Sequence, residues 1–156
     1  MPYAKLEIVM PKFEVGNMWE AFEKADRFVV LCSSTVTSNG SAVMCAGMAA
    51  ELVARFPDAG LPAAVGAYIK SNGGDHGIYG FTKGKSKVAM LQDRARHKDP
   101  SDLQHIGTGL RMLRDDALAN PELQYHVEMP GSDMPFFVVR GPIELCPDNV
   151  TFWSKP

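Results

Sequence analysis

Residues 38–50 read Ser-Asn-Gly-Ser-Ala-Val-Met-Cys-Ala-Gly-Met-Ala-Ala, a run of small and polar residues that leads into a segment ending at Arg55-Phe56-Pro57. Met44, Met48 and Leu52 recur at intervals of four, which predicts an amphipathic helix that stops before the proline. A loop of small residues before a helix brings backbone N–H groups and the positive end of the helix dipole to one point. This stretch therefore predicts a site suited to a phosphate or a diphosphate.

The length and composition indicate a globular protein. The chain has 156 residues, and we expect residues 1–156 to form a single domain. No apolar run approaches the ~20 residues needed to cross a bilayer, so no membrane partner is expected. Residues 1–7 lack the apolar core of a secretory signal, which favours the cytoplasm. Cys32, Cys45 and Cys146 are odd in number and widely spaced, and we expect them to be small buried hydrophobes rather than disulfide or metal ligands.

Apolar periodicity predicts strands that alternate with helices, an α/β pattern. A short helix capped by Asn17 is expected near residues 17–25, and a longer one is expected to begin at residues 99–102, with an acidic N-cap and Pro100 in its first turn. The longer helix should bury four residues, namely Leu103, Ile106, Leu110 and Leu113. The predicted strands are short apolar runs at 6–10, 28–32, 78–81, 125–129, 136–139 and 149–153.

Positive charge is concentrated in one segment, although the net charge of −2 gives no overall attraction to nucleic acid. The cations of this segment are Lys83, Lys85, Lys87, Arg94, Arg96 and Lys98. A solvated loop is the simpler interpretation, and a local patch that faces phosphate groups is the alternative.

Four segments occur in the order typical of one known family: Gly16 to Trp19, Asn39 to Ala49, Ile78 to Lys83, and Ser101 to Leu113. With them the chain resembles a macrodomain, the ADP-ribose-binding family, and more narrowly the branch of ADP-ribose-1″-phosphate phosphatases and of antitoxins that remove ADP-ribose from DNA. The resemblance implies a three-layer α/β/α sandwich with a mixed central sheet. It also implies ADP-ribose or an ADP-ribosylated macromolecule as ligand, nucleic acid being one candidate, and no cofactor.

The resemblance also assigns roles to residues. Asn39 would contact the distal ribose, and Lys83 corresponds to a catalytic lysine whose amine can act as nucleophile or base. The implied ligand-binding residues are Gly16, Asn17, Gly40, Ala42, Val43, Met44, Cys45, Ala46, Gly47, Gly131, Ser132 and Asp133. On the alternative interpretation Asn39-Gly40 and residues 131–133 are turns, and Lys83 is a surface lysine.

The departures from the family pattern leave the function open. Ala42 and Cys45 stand where the family has glycines, and an added side chain would obstruct close approach of a ligand to the backbone. The family's second glycine-rich loop is reduced to residues 129–135, with no recognisable helix after it. One hypothesis is hydrolysis of an ADP-ribosyl linkage on nucleic acid or protein. The other is a non-catalytic module that binds or sequesters ADP-ribose or a related nucleotide, or serves protein–protein contact.

Overall fold

The computed structural model describes residues 9–81 and 87–156. Six strands lie within these residues: β1 (Lys12–Val15), β2 (Arg27–Ser33), β3 (Ile78–Tyr79), β4 (Val88–Arg94), β5 (Tyr125–Glu128) and β6 (Val150–Ser154). They form one sheet in the order β1-β6-β5-β2-β4-β3. All neighbours are parallel except β3, which is antiparallel to β4. The expected mixed sheet is confirmed.

Helices cover both faces of this sheet. They are α1 (Gly47–Arg55), α2 (Leu61–Ser71), α3 (Leu103–Ala119) and α4 (Phe136–Glu144) within the described ranges. Val29 of β2 packs in the core under α3 and α4, whereas its neighbours Phe28 and Val30 pack in the core under α1 and α2. Successive residues of a strand point to opposite faces, so β2 is buried on both sides, as its apolar sequence predicts. The three-layer α/β/α sandwich is confirmed.

The long helix α3 begins later than predicted. The N-cap is Asp102, whose side chain accepts hydrogen bonds from the backbone N–H groups of Gln104 and His105 at 2.8 and 3.3 Å. The prediction of a start at Asp99 is wrong because the Asp99 carbonyl is taken by the Arg94 guanidinium, which holds this stretch as a loop. The prediction that Leu103 is buried is also wrong, since this residue lies in the first turn of α3 and is 43% exposed.

The predicted strand at 136–139 is also wrong, because these residues begin α4. Phe-Phe-Val-Val favours a strand locally. However, β5 and β6 are parallel neighbours, and a parallel pair requires a crossover connection, usually a helix. The sheet topology therefore overrides the local preference, and α4 is the helix that the sequence did not reveal after residues 129–135.

The basic segment contains a central strand, β4, which the sequence analysis missed. The loop interpretation is wrong for residues 88–94, because Ala89, Met90 and Leu91 are fully buried between the two helical layers. The cations on either side of this strand therefore lie at opposite ends of it. Lys87 lies at its amino end, over the ring of Phe22 at 4.3 Å, and Arg94 lies at its carboxyl end.

The amino-terminal predictions are partly corrected. Residues 6–8 of the first predicted strand lie outside the described residues, residues 9–10 are not in a strand, and β1 begins at Lys12. The capping role of Asn17 is confirmed, since its side chain accepts a hydrogen bond from the Trp19 N–H at 3.1 Å, although the helix is a single 3-10 turn, Met18–Ala21. No helix in the described ranges is both long enough and apolar enough to cross a membrane.

Candidate functional site

The carboxyl ends of β2, β4, β5 and β6 meet at one edge of the sheet because these strands are parallel. Ligands of open α/β sheets bind at this edge. Two connections begin here: the first loop, residues 34–46, leads from β2 to α1, and the second loop, residues 129–135, leads from β5 to α4. Three cavities open beside them, and we name them the α1 cavity, the Trp153 cavity and the His105 cavity.

The α1 cavity has a volume of about 240 Å³ and is lined by the N-terminus of α1. Ala46 is the N-cap and makes no side-chain capping bond. A helix leaves its first N–H groups without intrahelical partners, and those of Ala46, Gly47 and Met48 form no hydrogen bond within residues 9–81 and 87–156. The N–H of Val43 is already used, since it donates to the Thr35 carbonyl at 3.0 Å. The free N–H groups and the helix dipole together suit an anion.

A β-bulge shapes the opposite wall of the α1 cavity. The pairing of β2 with β4 shifts by one residue between Cys32 and Ser33, so that Asp93 is the extra residue on β4. Bulges re-aim side chains and are frequent next to active sites. Adjacent residues of a regular strand point to opposite faces of the sheet. Here the bulge lets the adjacent residues Asp93 and Arg94 line the same cavity.

Arg94 and Asp93 form a fixed ion pair. The Arg94 Nη2 and Nε atoms donate to the Asp93 carboxylate at 2.9 and 3.2 Å, and Nη1 donates to the Asp99 carbonyl at 3.0 Å. Burial raises the pKa of Asp93, and the hydrogen bond and charge of Arg94 oppose that rise. The guanidinium is therefore a preorganised cation beside the free N–H groups of α1.

Glu128, at the end of β5, separates the α1 cavity from the Trp153 cavity and lines both. Its carboxylate accepts a hydrogen bond from the Leu31 N–H at 3.1 Å. This N–H needs a side-chain acceptor because the pairing of β2 with β5 ends at Val29 and Val127. Burial raises the pKa of Glu128 to about 7.

The Trp153 cavity, of about 230 Å³, has largely apolar walls, with Glu51, Glu128 and Lys155 among the polar groups that line it. Met18, Trp19, Met48 and Trp153 contribute to them. The Trp153 Nε1 donates to His126 Nδ1 at 2.9 Å, and the Arg55 guanidinium lies 3.9 Å from the centre of the Trp19 ring. These contacts hold the indole rings in place beside a space that suits a planar heterocycle.

The His105 cavity is larger, about 700 Å³, and adjoins the α1 cavity through His97, which lines both. Arg96 and Lys98 lie on its wall, and the His105 Nδ1 lies 3.4 Å from the Asp75 carboxylate. Asp75 and Asp99 also line this cavity, so it carries charges of both signs and suits a polar group.

The structure brings most of the predicted binding residues to these cavities. Those in the α1 cavity are Val43, Met44, Cys45, Ala46, Gly47 and Ser132, and those in the Trp153 cavity are Gly16 and Asn17. Cys45 is exposed, so the prediction that it is buried is wrong. It precedes the helix instead of lying on the buried face of α1.

Other predicted site residues lie away from these cavities. The Asn39 side chain is exposed and closes a turn, accepting bonds from the Thr37 hydroxyl and from the Ser41 N–H. Gly40 belongs to the same turn, where its φ is +89°. Ala42 is 5% exposed, and its N–H donates to the Pro62 carbonyl, so its methyl group does not obstruct a cavity.

The remaining predictions concern the second loop and Lys83. Gly131 is buried with a φ of +72°, a conformation that favours glycine. Asp133 is exposed, and its carboxylate accepts a bond from the Ser101 N–H at 2.8 Å, which lowers its pKa. Lys83 lies outside the described residues, and its role stays a prediction.

Sequence reasoning missed Asp93 and Glu128 as groups of this site, and it named Arg94 only as one cation of a possible phosphate-facing patch. Each stands at the carboxyl end of a strand, which is the signal that could have found them. Because β4 was interpreted as a loop, its end was not recognised as part of the site.

No protein-family model and no curated protein matches the chain. Among solved structures, the macrodomain of Thermus aquaticus DarG superposes with a TM-score of 0.62 at 20% identity, covering 94% of this chain and 98% of that one. This chain has the macrodomain fold. The macrodomain of Mycobacterium tuberculosis DarG matches with a TM-score of 0.57 at 16% identity, covering 92% of this chain and 97% of that one.

A third match extends over a longer protein. Thermosipho africanus DarTG, solved in complex with ADP-ribose, superposes with a TM-score of 0.67 at 16% identity. The match covers 100% of this chain and 44% of that one. Identities this low show a shared macrodomain fold, and the chemistry of this chain must be argued from its own site.

Proposed function

We propose that this chain binds ADP-ribose across the α1 and Trp153 cavities. The diphosphate lies at the free N–H groups of Ala46, Gly47 and Met48, the adenine lies between the walls of the Trp153 cavity, and the distal ribose points toward His97. The observation that carries the proposal is the junction of the two cavities at Met48 and Glu128. An anion site and a site for a planar base therefore lie side by side, and a ligand that carries both an adenine and a diphosphate needs this arrangement.

The size and the charges of the two cavities support this assignment. Together they reach the range of about 300–1,000 Å³ that is usual for small-molecule sites. Arg94 supplies a fixed guanidinium near the diphosphate, its charge balanced in part by Asp93, and Lys155 supplies a second cation at the Trp153 cavity. The complex of Thermosipho africanus DarTG with ADP-ribose, on the same fold, is consistent with such a ligand.

Titration calorimetry with ADP-ribose tests this proposal, with ADP and NAD as comparison ligands. We expect ADP-ribose to bind and ADP to bind more weakly, because ADP lacks the distal ribose that would occupy the space beside His97. Absence of binding by all three would refute the proposal and would favour a role in protein–protein contact.

Hydrolysis of an ADP-ribosyl linkage is the second candidate function, and the two carboxylates of the α1 cavity favour it. Burial raises the pKa values of Asp93 and Glu128, which makes each a better proton acceptor than an ordinary carboxylate. Water would attack the anomeric carbon of the distal ribose while one carboxylate accepts a proton from it. The bond from that carbon to the linked group would break, and the linked group would leave with the bonding electrons and take up a proton.

The His105 cavity favours nucleic acid as the linked group in this reaction. It adjoins the end of the α1 cavity at which the distal ribose is placed, and Arg96 and Lys98 line it. These two cations can contact the phosphates of a nucleic acid, and Asp75 and Asp99 on the same wall leave the rest of the cavity to uncharged polar groups.

Two modified substrates test hydrolysis and its specificity: an oligonucleotide and a peptide, each carrying one ADP-ribose. Chromatography of released ADP-ribose should show faster release from the oligonucleotide. Asp93→Asn and Glu128→Gln should lower the rate, and Lys83→Ala tests the lysine that the sequence predicts. Tight binding of ADP-ribose without release from either substrate would support the non-catalytic module instead.

A further inference from the structure

The strand β1 lies at the outer edge of the sheet, next to β6, and all four of its residues are exposed. Within residues 9–81 and 87–156, β6 is its only strand partner. An edge strand presents unpaired N–H and C=O groups, which can pair with a strand of another chain. β1 contains no proline and no bulge, and its two charged residues, Lys12 and Glu14, are of opposite sign.

An aromatic patch continues from this edge onto α4. Phe13 is 45% exposed, and its ring stacks on Phe152 at a centroid distance of 6.0 Å and meets Phe136 edge-on at 6.4 Å. Phe137 is 78% exposed and Val15 is 69% exposed. Contiguous exposed aromatic residues are enriched at protein interfaces.

The charges of β1 select one partner for this edge. Its sequence is Lys12-Phe13-Glu14-Val15, with Phe13 and Val15 on one face and the two charges on the other. Two copies of this strand can pair antiparallel about a two-fold axis, and the sheet faces match only when the axis passes through a residue. Axes at Lys12 or at Glu14 place like charges opposite each other. An axis at Phe13 places Lys12 of each copy opposite Glu14 of the other, which is favourable.

We propose that a second copy of this chain pairs antiparallel with β1, in the register that places the two Phe13 residues opposite each other. The two sheets join into one continuous sheet. The aromatic patches of both copies lie on the same face of this joined sheet. Because the two β1 strands run in opposite directions, the carboxyl edges of the two sheets face opposite ways. The α1 and His105 cavities contain no residue of β1, whereas the Trp153 cavity begins at Gly16, directly after it.

Charge reversal tests the register, with molar mass measured by sedimentation velocity over a range of protein concentrations. The unchanged chain should dimerise. Lys12→Glu alone and Glu14→Lys alone should each be monomeric, because each places like charges opposite each other. An equimolar mixture of the two single variants should restore the dimer as a heterodimer, and the double variant should restore it as a homodimer.

Controls separate loss of pairing from loss of folding. Lys24→Glu changes the net charge by the same amount as Lys12→Glu at another exposed site, and it should remain dimeric. Circular dichroism melting should show all variants folded, since the side chains of Lys12 and Glu14 are exposed. A monomeric unchanged chain, single variants that remain dimeric, or a mixture that stays monomeric would each overturn the proposal.

Discussion

Two loops of small residues lead into helices at the same edge of the sheet, and they differ in what they leave open. The first loop ends at α1, whose N-terminal N–H groups face the α1 cavity without partners among the described residues. The second loop ends at α4, whose N-terminus lines none of the three cavities, and two hydrogen bonds hold this loop. The Met134 N–H donates to the Gly131 carbonyl at 2.9 Å, and Asp133 accepts from the Ser101 N–H at 2.8 Å.

This difference separates binding from stability. An N-terminus that lacks a cap and opens into a cavity can be completed by an anionic ligand. The second loop instead joins α4 to the start of α3 through the bond between Asp133 and the Ser101 N–H. We therefore expect changes at the N-terminus of α1 to act on ligand affinity and changes at Asp133 to act on folding.

The largest effect is expected for Ala46→Asp. A carboxylate at this position caps α1 and places a negative charge where the diphosphate would lie. Affinity for ADP-ribose should fall about 100-fold, a loss of about 3 kcal/mol. The helix should be stabilised at the same time by about 0.5–2 kcal/mol. Calorimetry and thermal unfolding measure the two changes.

The matched control is Ala63→Asp, which puts the same charge in the first turn of α2, away from the three cavities. Its affinity should remain within about twofold of the unchanged chain, since a distant exposed charge is screened by salt. An equal loss of affinity in both variants would show that the N-terminus of α1 does not hold the diphosphate.

An intermediate effect is expected from the pH dependence of binding. The pKa of Glu128 is about 7. Above that pH its carboxylate repels the negatively charged ligand, and below it the protonated group does not. Affinity for ADP-ribose should therefore rise as the pH falls from 8 to 6, by up to about tenfold for each unit by which the ligand raises this pKa.

Glu128→Gln should remove this dependence, because the amide is uncharged and its oxygen can still accept the Leu31 N–H. Calorimetry in two buffers of different ionisation enthalpy should detect proton uptake on binding near pH 7 in the unchanged chain alone. A pH profile with the same slope in both proteins would assign the dependence to another group.

The smallest effect is expected for Asp133→Asn in the second loop. The amide oxygen of the variant can still accept the Ser101 N–H, but the charge that strengthens this exposed bond is lost, so the free energy of unfolding should fall by at most about 1 kcal/mol at pH 7. Hydrogen bonds to Ser101 lower the pKa of Asp133, so its contribution is present above the pKa of the unfolded chain. It is lost as the pH falls through the lower pKa of the folded state.

Urea unfolding of both proteins at pH 7 and at pH 3 measures this contribution, and the difference between them should narrow at the lower pH. Affinity for ADP-ribose should change by less than about twofold. A large loss of affinity with unchanged stability would contradict the division of roles between the two loops.

The strands and helices with a simple burial pattern could be predicted from the sequence. The strand at 28–32 is apolar throughout because both of its faces are covered, and α1 and α3 show helical periodicity because each buries one side. The motif at 38–50 predicted an anion site. Five of its residues, from Val43 to Gly47, line the α1 cavity. These features are local, so neighbouring residues are enough to reveal them.

Errors occurred where distant contacts decide the outcome. Residues 136–139 have strand propensity and form a helix, since the parallel pair β5 and β6 needs a crossover. The strand β4 was hidden by the charged residues on either side of its apolar centre. Its polar end, Asp93-Arg94, belongs to the site only because a bulge against β2 brings both side chains to one cavity.

By itself, the sequence determined that this chain is an α/β protein with an anion-suited helix N-terminus, because periodicity and small residues act over a few positions. Only the tertiary structure decided which groups surround that N-terminus. Asp93, Arg94 and Glu128 come from two strands far apart in sequence, and they meet because parallel strands end at a common edge. The raised pKa of Glu128 has the same origin, since burial depends on every element packed around it and not on its neighbours along the chain.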